Sequence, residues 1–359
     1  MGVPAEKSII VESVMISGYP NDRKKNCETG VLGNMLAWHG YEISEGMLFG
    51  IGSGLYFMYS PILAVSGTIY PLLRLPPVEI VKRAAERLHL NVRVKSFGNN
   101  RDSATIALER LLEKNIPVGV VVNVKGLPYF NVSGVESDFN GHIVAVIGKE
   151  GTDYILADTD SRLSSDDYVR AGESIMREIR FAPGIAAPHG KMFWLDPSSD
   201  YASQSKFLKT AVVSGLKETC NKFLRVPLPG YGVKGLHAFA KDIRKWEERY
   251  SFRQIAYVLM WYYRLIERAG TGGSGYRYIY LDFLKEAATL FESDVLQDST
   301  DTMAMSAEHW RLFCLECRRF IRNPENTSLK TMADIMDQIG AYECETFYRI
   351  KKGFVSRWE

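Results

Sequence analysis

Among the side chains of this sequence that can act as nucleophiles or move protons, Cys27 stands out by position. The loop SGYPNDRKKN delivers the chain to CETGVLGNMLAWHG, in which Val31, Leu32, Met35 and Leu36 recur at helical spacing and Gly40 supplies a stop. Cys27 therefore falls at or just before a helix N-terminus. There the helix dipole and unpaired backbone N–H groups stabilise a thiolate, which is the form that attacks a carbonyl. Taken alone, the position more often belongs to a small buried cysteine.

The second feature is a histidine and a carboxylate on adjoining runs. His142 opens HIVAVIG, Asp158 closes YILAD, and KEGTD forms the turn between them. In a hairpin centred near Glu150 or Gly151, residue 142 falls opposite 158 or 159, so the two side chains should meet. A histidine with one ring nitrogen held by a carboxylate is oriented as a general base, the arrangement that activates a cysteine. A purely structural pair across the hairpin satisfies the same pattern. Cysteine on an early helix, then histidine and an acidic residue on later strands, is the chain order of papain-like enzymes.

The other five histidines compete poorly. His39 lies at the end of the Cys27 helix, where it caps carbonyls; His89 falls in an amphipathic helix; His189, His237 and His309 sit in loops or in later helices, with no carboxylate patterned beside them. An oxyanion needs two donors. The Cys27 N–H is one candidate and Asn21, six residues upstream, the other, although Asn21 is also a natural turn residue in GYPND. The glycines of GIGSG match no phosphate-loop pattern; Gly52 and Gly54 are candidates for letting backbone approach a substrate. GTGGSGYRY (270 to 278) reads as a flexible linker or as a loop contributing to a cleft.

The elements that must position these residues follow from periodicity. Helices are expected over 77–90, opened by Pro77, and over 103–115, with a strand NVRVKSF between them. VGVVVNV, HIVAVIG, YILAD and KMFWLD are strands of one sheet, and 164–180 reads as an amphipathic helix inserted before the last strand. DPSSDYASQ (196 to 204) marks a boundary, beyond which every segment has helical spacing. The expected organisation is an α+β domain over 1–196 and a helical domain over 204–359.

Composition narrows the function classes. With 359 residues, 46% hydrophobic and 24% charged, the chain has material for two cores. A net charge of +2 with no long basic run argues against nucleic acid. The uncharged stretch 46–73 is long enough to span a membrane but is interrupted by Ser, Pro and Gly, so it reads as a buried, loop-rich wall. No secretory signal is visible and Glu6 spoils a myristoylation pattern, so the expected location is cytoplasmic. Five scattered cysteines imply free thiols. Cys314 and Cys317 form a C-x-x-C without a second pair, and neither a metal nor a bound cofactor is expected.

The run NCETGVLGNMLAWHGYEISEGMLFGIGSGLYF closely resembles the opening signature of the butirosin biosynthesis protein H N-terminal family. LPYFNVSGVESDFNGHIVAVIG and YILADTD resemble its later segments, and GYGVKGLHAFAKDI with GTGGSGYRYIYLDFLKEAA resembles the uncharacterised helical domain that often follows it. The resemblance implies a papain-like fold and an acyltransferase that moves an aminoacyl group from a carrier-protein thioester to an amine of an aminoglycoside. Carried over by position, the catalytic set is Cys27, His142 and Asp158. Tyr129, within the L-P-Y segment, joins Gly52 and Gly54 as a substrate-binding candidate. Asn26 departs from the family, which often has histidine before the cysteine. The expected partners are an acyl carrier protein or other thioester donor and a small amine; a homodimer is compatible with the sequence. Hydrolysis of a peptide or amide by the same residues is the rival activity, and a silent binding module is the third reading.

Overall fold

The computed structural model describes residues 13–60, 64–65, 68–69, 71–130, 138–160, 163, 168–184, 186–268 and 270–358. In chain order these form β1 (Ser13–Met15), α1 (Cys27–Trp38), α2 (Glu45–Ile51), β2 (Leu55–Met58), β3 (Ala64–Val65), β4 (Thr68–Ile69), β5 (Leu72–Arg74), α3 (Glu79–Arg87), β6 (Val92–Lys95) and α4 (Arg101–Glu113). Next come β7 (Val118–Asn123), β8 (Asn140–Glu150), β9 (Asp153–Ala157), β10 (Val169–Gly172), α5 (Glu173–Ile179) and β11 (Met192–Leu195). The remainder is helical: α6 (Leu208–Leu224), α7 (Gly232–Ile243), α8 (Trp246–Arg249), α9 (Phe252–Tyr263), α10 (Arg277–Phe291), α11 (Asp294–Arg322) and α12 (Leu329–Gly353). The protein is thus mixed α/β with a helical C-terminal region.

Packing divides the chain into two compact units, each discontinuous: residues 1–23 with 92–197, and residues 24–91 with 198–359. This grouping differs from the contiguous division 1–196 and 204–359, because the α1–α3 segment packs with the C-terminal helices.

The first unit is built on a seven-stranded sheet of order β10-β9-β8-β7-β11-β6, with β1 pairing β8 beyond the end of β7. Its described pairings are all antiparallel. The β-branched run of β7 is buried at every position, as expected of a central strand covered on both faces. Gly119 is required there, since a Cβ would stand 2.4 Å from the Phe193 ring of β11.

The β8–β9 hairpin turns at Gly151–Thr152, with Glu150 paired to Asp153. Between Val146 and Gly148 the register shifts, leaving Ile147 as an extra residue, after which Ala145 pairs with Ala157. Extending that pairing places Asp158 opposite Val144, two residues from His142, rather than opposite His142 as the expected turn would have it. The bulge decides the outcome. Without it, the pairing parity would turn Asp158 to the other face of the sheet. The helix expected over 164–180 is corrected in part. Residues 169–172 form a strand that covers the free edge of β9, and only Glu173–Ile179 is helical; residues 164–167 lie outside the described residues.

In the second unit, α11 and α12 form a long helical pair on which α7, α9, α10 and α6 pack. The buried centre includes Trp310, Phe239, Phe347 and Phe283. Within it Glu343, itself fully buried, takes both ends of the Arg277 guanidinium at 2.8 and 3.1 Å, together with Ser306 and Trp310. Gly50 lets α2 meet α10: a Cβ there would lie 2.1 Å from the Phe283 ring. No helix among the described residues is long and apolar enough to cross a membrane.

Candidate active site

The sheet unit holds the histidine and the carboxylate. His142, on buried β8, is 6% exposed, and Asp158, just past β9, is fully buried. His142 Nε2 lies 2.6 Å from Asp158 Oδ2. A carboxylate can only accept, so the imidazole donates through Nε2 and Nδ1 carries the lone pair a base uses. The Phe130 ring meets the imidazole edge-on, with centroids 5.0 Å apart.

Asp158 is itself held from several sides. Tyr129 donates its hydroxyl to the same Oδ2, the Asp160 N–H donates to Oδ1 at 3.0 Å, and Arg23 donates to the Asp158 carbonyl. Arg23 also donates to Asn21 Oδ1 at 3.2 Å. Asn21 and Tyr129, expected at the oxyanion and at the substrate, thus sit in the network that supports Asp158. Sequence reasoning found Tyr129 only through the L-P-Y resemblance, and nothing in the pattern marked Arg23.

Cys27 is held in the helical unit, where it is the first residue of α1 and partly exposed. Asn26 is the N-cap. Its Oδ1 accepts from the N–H groups of Glu28 and Thr29, both at 3.1 Å, which satisfies two of the four orphan donors of the helix. The asparagine that departs from the family pattern therefore has a local structural reason. The preceding backbone is pinned by Glu45, whose carboxylate accepts from the Asn26 N–H at 2.6 Å and the Lys25 N–H at 3.0 Å. Burial raises the Glu45 carboxyl above its ordinary pKa, while these hydrogen bonds pull the other way. Ser44 caps α2 through the Met47 N–H, so the S-E pair of the signature starts one helix and steadies the start of another.

The glycine loop after α9 lies against the same place. Asn26 Nδ2 donates to the Gly270 carbonyl at 3.4 Å. Gly272 takes a left-handed φ of 66°, and a Cβ there would stand 3.0 Å from the Lys25 side chain. The segment expected as a linker or cleft loop is therefore packed on the residues that precede Cys27. Gly52 and Gly54 are buried, and a Cβ at either would collide with Ile80 or Phe49, at 2.5 and 2.7 Å. Close packing accounts for these two glycines without a ligand.

Arg74, which sequence reasoning missed, ends β5 and pairs with Glu28, the residue that follows Cys27. Its Nη2 is 2.7 Å from Glu28 Oε2. The α3 helix starts at Glu79 rather than at Pro77, after Val78 in a left-handed conformation with φ 74°, and it has no side-chain cap of its own. Glu28 supplies one: its Oε1 accepts the Val81 N–H at 3.0 Å.

The remaining histidines need two corrections. His89 is not helical; it follows α3 with φ 54° and its ring lies against Phe207. His237 does have a carboxylate beside it, with Nδ1 2.7 Å from Asp337 across α7 and α12, an exposed pairing of residues a hundred apart that no local pattern could reveal. His39 closes α1 through its backbone N–H, while its ring packs on Trp38 and Tyr201. Cys314 and Cys317 are free thiols in α11, and burial raises both above the ordinary thiol pKa. Among the described residues no cluster of His, Cys, Asp and Glu is arranged to hold a metal.

Two family models match the chain. That of Butirosin biosynthesis protein H, N-terminal, covers residues 26–159, which include Cys27, His142 and Asp158, and a domain of unknown function (DUF4872) covers residues 174–350. No curated protein matches the chain. Residues 26–159 are thus similar to the butirosin biosynthesis protein H N-terminal family, and residues 174–350 to a domain of unknown function.

Proposed function

We propose that this protein is a cysteine-dependent acyltransferase in which Cys27 is the nucleophile, His142 the general base and Asp158 the residue that orients it. The observation that carries the reading is the 2.6 Å contact that ties His142 Nε2 to a buried carboxylate and leaves Nδ1 as the basic nitrogen. It is supported by a partly exposed cysteine at the capped start of a helix. The chain order, a cysteine on an early helix followed by a histidine and an acidic residue on later strands, also supports a papain-like architecture.

In the proposed reaction His142 takes the Cys27 proton and the sulfur attacks the carbonyl of a carrier-bound pantetheine thioester. The Cys27 N–H donates to the developing oxyanion. Collapse expels the pantetheine thiolate, which receives the proton from His142. An amine then attacks the acyl-cysteine, losing a proton to His142, and Cys27 leaves and is reprotonated. The family's name supports an antibiotic-biosynthesis setting, and the proposed acceptor is a small-molecule amine.

Intact-protein mass spectrometry with acyl-pantetheine thioesters tests the reading. One acyl group should appear on wild type, map to the Cys27 peptide, be absent from Cys27→Ala, and discharge faster when amine is added. An acyl group retained by Cys27→Ala, or no acylation by any thioester of a varied panel, would sink it. Discharge to water at a rate indifferent to amine would favour the hydrolase.

A further inference from the structure

The outer face of α9, with the π-helical turn Arg264–Arg268 that continues it, serves neither the core nor the proposed reaction. Ile255, Leu259, Tyr262 and Ile266 are buried. At the helical period the opposite side carries Arg253, Tyr257, Met260, Trp261, Arg264 and Arg268. Tyr257 is 57% and Met260 36% exposed. The Tyr257 and Trp261 rings meet edge-on with centroids 6.3 Å apart, and the Arg264 guanidinium lies over Trp261 at 5.7 Å. Arg253 and Arg268 are exposed and, among the described residues, have no carboxylate partner. Glu267, the single acidic residue of this stretch, is turned aside and accepts the Ser274 N–H at 3.1 Å. Arg318 of α11, stacked on Tyr263 at 5.1 Å, extends the basic surface.

A helix face that only meets water is rich in Lys and Glu, whereas this one holds Arg, Tyr, Met and Trp and no Lys, Asp or Glu. Those are the residue types that concentrate at protein–protein contacts and supply their anchors. The uncompensated arginines set the sign of the partner, which must be acidic. A second copy meeting the same face by two-fold symmetry would set arginine against arginine. The face also ends in the right place. It runs into the glycine loop, whose Gly270 carbonyl accepts from Asn26, the cap of the helix that begins at Cys27.

We infer that this face docks the carrier protein of the acyl donor through an acidic helix of the carrier. Tyr257 and Trp261 are the apolar anchors, and Arg253, Arg264 and Arg268 pair with the carrier's carboxylates. The identity of the partner rests on the acyltransferase reading, whereas the sign of its charge rests on the arginines alone.

The test uses the full-length protein and needs no acyl transfer. Labelled apo acyl carrier proteins, a panel graded in the acidity of their helices, are titrated with it at low salt and read by fluorescence anisotropy. Wild type should bind more tightly the more acidic the carrier, and added salt should weaken binding. Arg264→Glu/Arg268→Glu should weaken it at least about 25-fold, from about five-fold for each charge pair near 4 Å in water. Tyr257→Ala should weaken it about ten-fold, as loss of an aromatic anchor does. Lys114→Glu, which reverses an exposed cation of the sheet unit, should leave it unchanged. Should the double variant not fold, Arg268→Gln decides, with a loss of about five-fold. The inference is overturned by no binding to any carrier, by an equal loss in Lys114→Glu, or by full binding in Tyr257→Ala. It is also overturned if single-stranded RNA binds more tightly than any carrier, or if wild type is a dimer that the double variant splits. The two readings fail separately. A wild type that docks carrier through these residues but takes no acyl group at Cys27 refutes the acyltransferase, whereas an acylated wild type whose double variant binds carrier equally well refutes the docking face.

Discussion

Replacing Asp158 by asparagine changes no atom positions and should nevertheless cost most of the activity, for a reason visible in the hydrogen bonds. One carboxylate oxygen accepts from His142 and Tyr129, and the other accepts the Asp160 N–H at 3.0 Å. If the asparagine places its oxygen toward His142, its amide nitrogen faces the Asp160 N–H, donor against donor. The reverse orientation keeps the Asp160 bond and turns the amide nitrogen toward His142 Nε2, so the ring must carry its proton on Nδ1 and loses the base. A conflict of about 1–3 kcal/mol leaves the productive tautomer at roughly one part in five to one in 150. The imidazolium formed during acylation also loses a partner worth about 4 kcal/mol at ~4 Å between charge centres, or roughly a thousand-fold. Together the expected loss is on the order of 10⁴-fold, the size found when a Ser-His-Asp triad suffers the same change. The assay is single-turnover acylation of Cys27, quenched and read by intact mass. A rate within ten-fold of wild type would refute the tautomer argument and with it the orienting role of Asp158.

Two further predictions concern the helical unit. Lys222 on α6 is crowded by Arg83 and Arg87 around the one carboxylate of Glu218, and burial together with these cations lowers its pKa to about 7 from 10.5. Between those values the unfolded chain binds more protons than the folded one, so this residue's contribution to stability rises with pH. Lys222→Met should therefore melt above wild type at pH 6, with the gap shrinking by pH 9; a gap independent of pH would show that Lys222 stays charged beside Glu218. Glu343→Ala leaves the buried Arg277 unpaired and should cost about 3–5 kcal/mol in denaturant unfolding, and a loss under 1 kcal/mol would show that the guanidinium finds another partner.

Local pattern carried most of the elements. The apolar spacing after Cys27 and the stop at Gly40 are read along one segment, so a helix beginning at the cysteine was legible, as were β6, β7, β8, β9 and β11 from their β-branched runs. The strand 169–172 was not: V-R-A-G is too short to show its period, and it is a strand because β9 offers an unpaired edge. Likewise the start of α3 moved past Pro77, because Glu28, fifty residues earlier, supplies the cap.

The division is clearest at the candidate site. Residue types and chain order were enough to single out Cys27, His142 and Asp158, and the period of two in a strand was enough to bring a histidine and a carboxylate close across a hairpin. How they meet depended on the turn position and on the extra residue Ile147, which restores the parity that puts Asp158 on the face of His142. A bulge is selected by all the neighbours of a strand at once, here β1 and β7 on one side and β9 on the other. Tyr129 and Arg23 reach Asp158, and Glu45 the backbone before Cys27, from distant positions or other elements, and only packing joins them. The sequence by itself determined which groups are available for chemistry; tertiary structure decided which way they point and what holds them, because orientation is set by partners far apart along the chain.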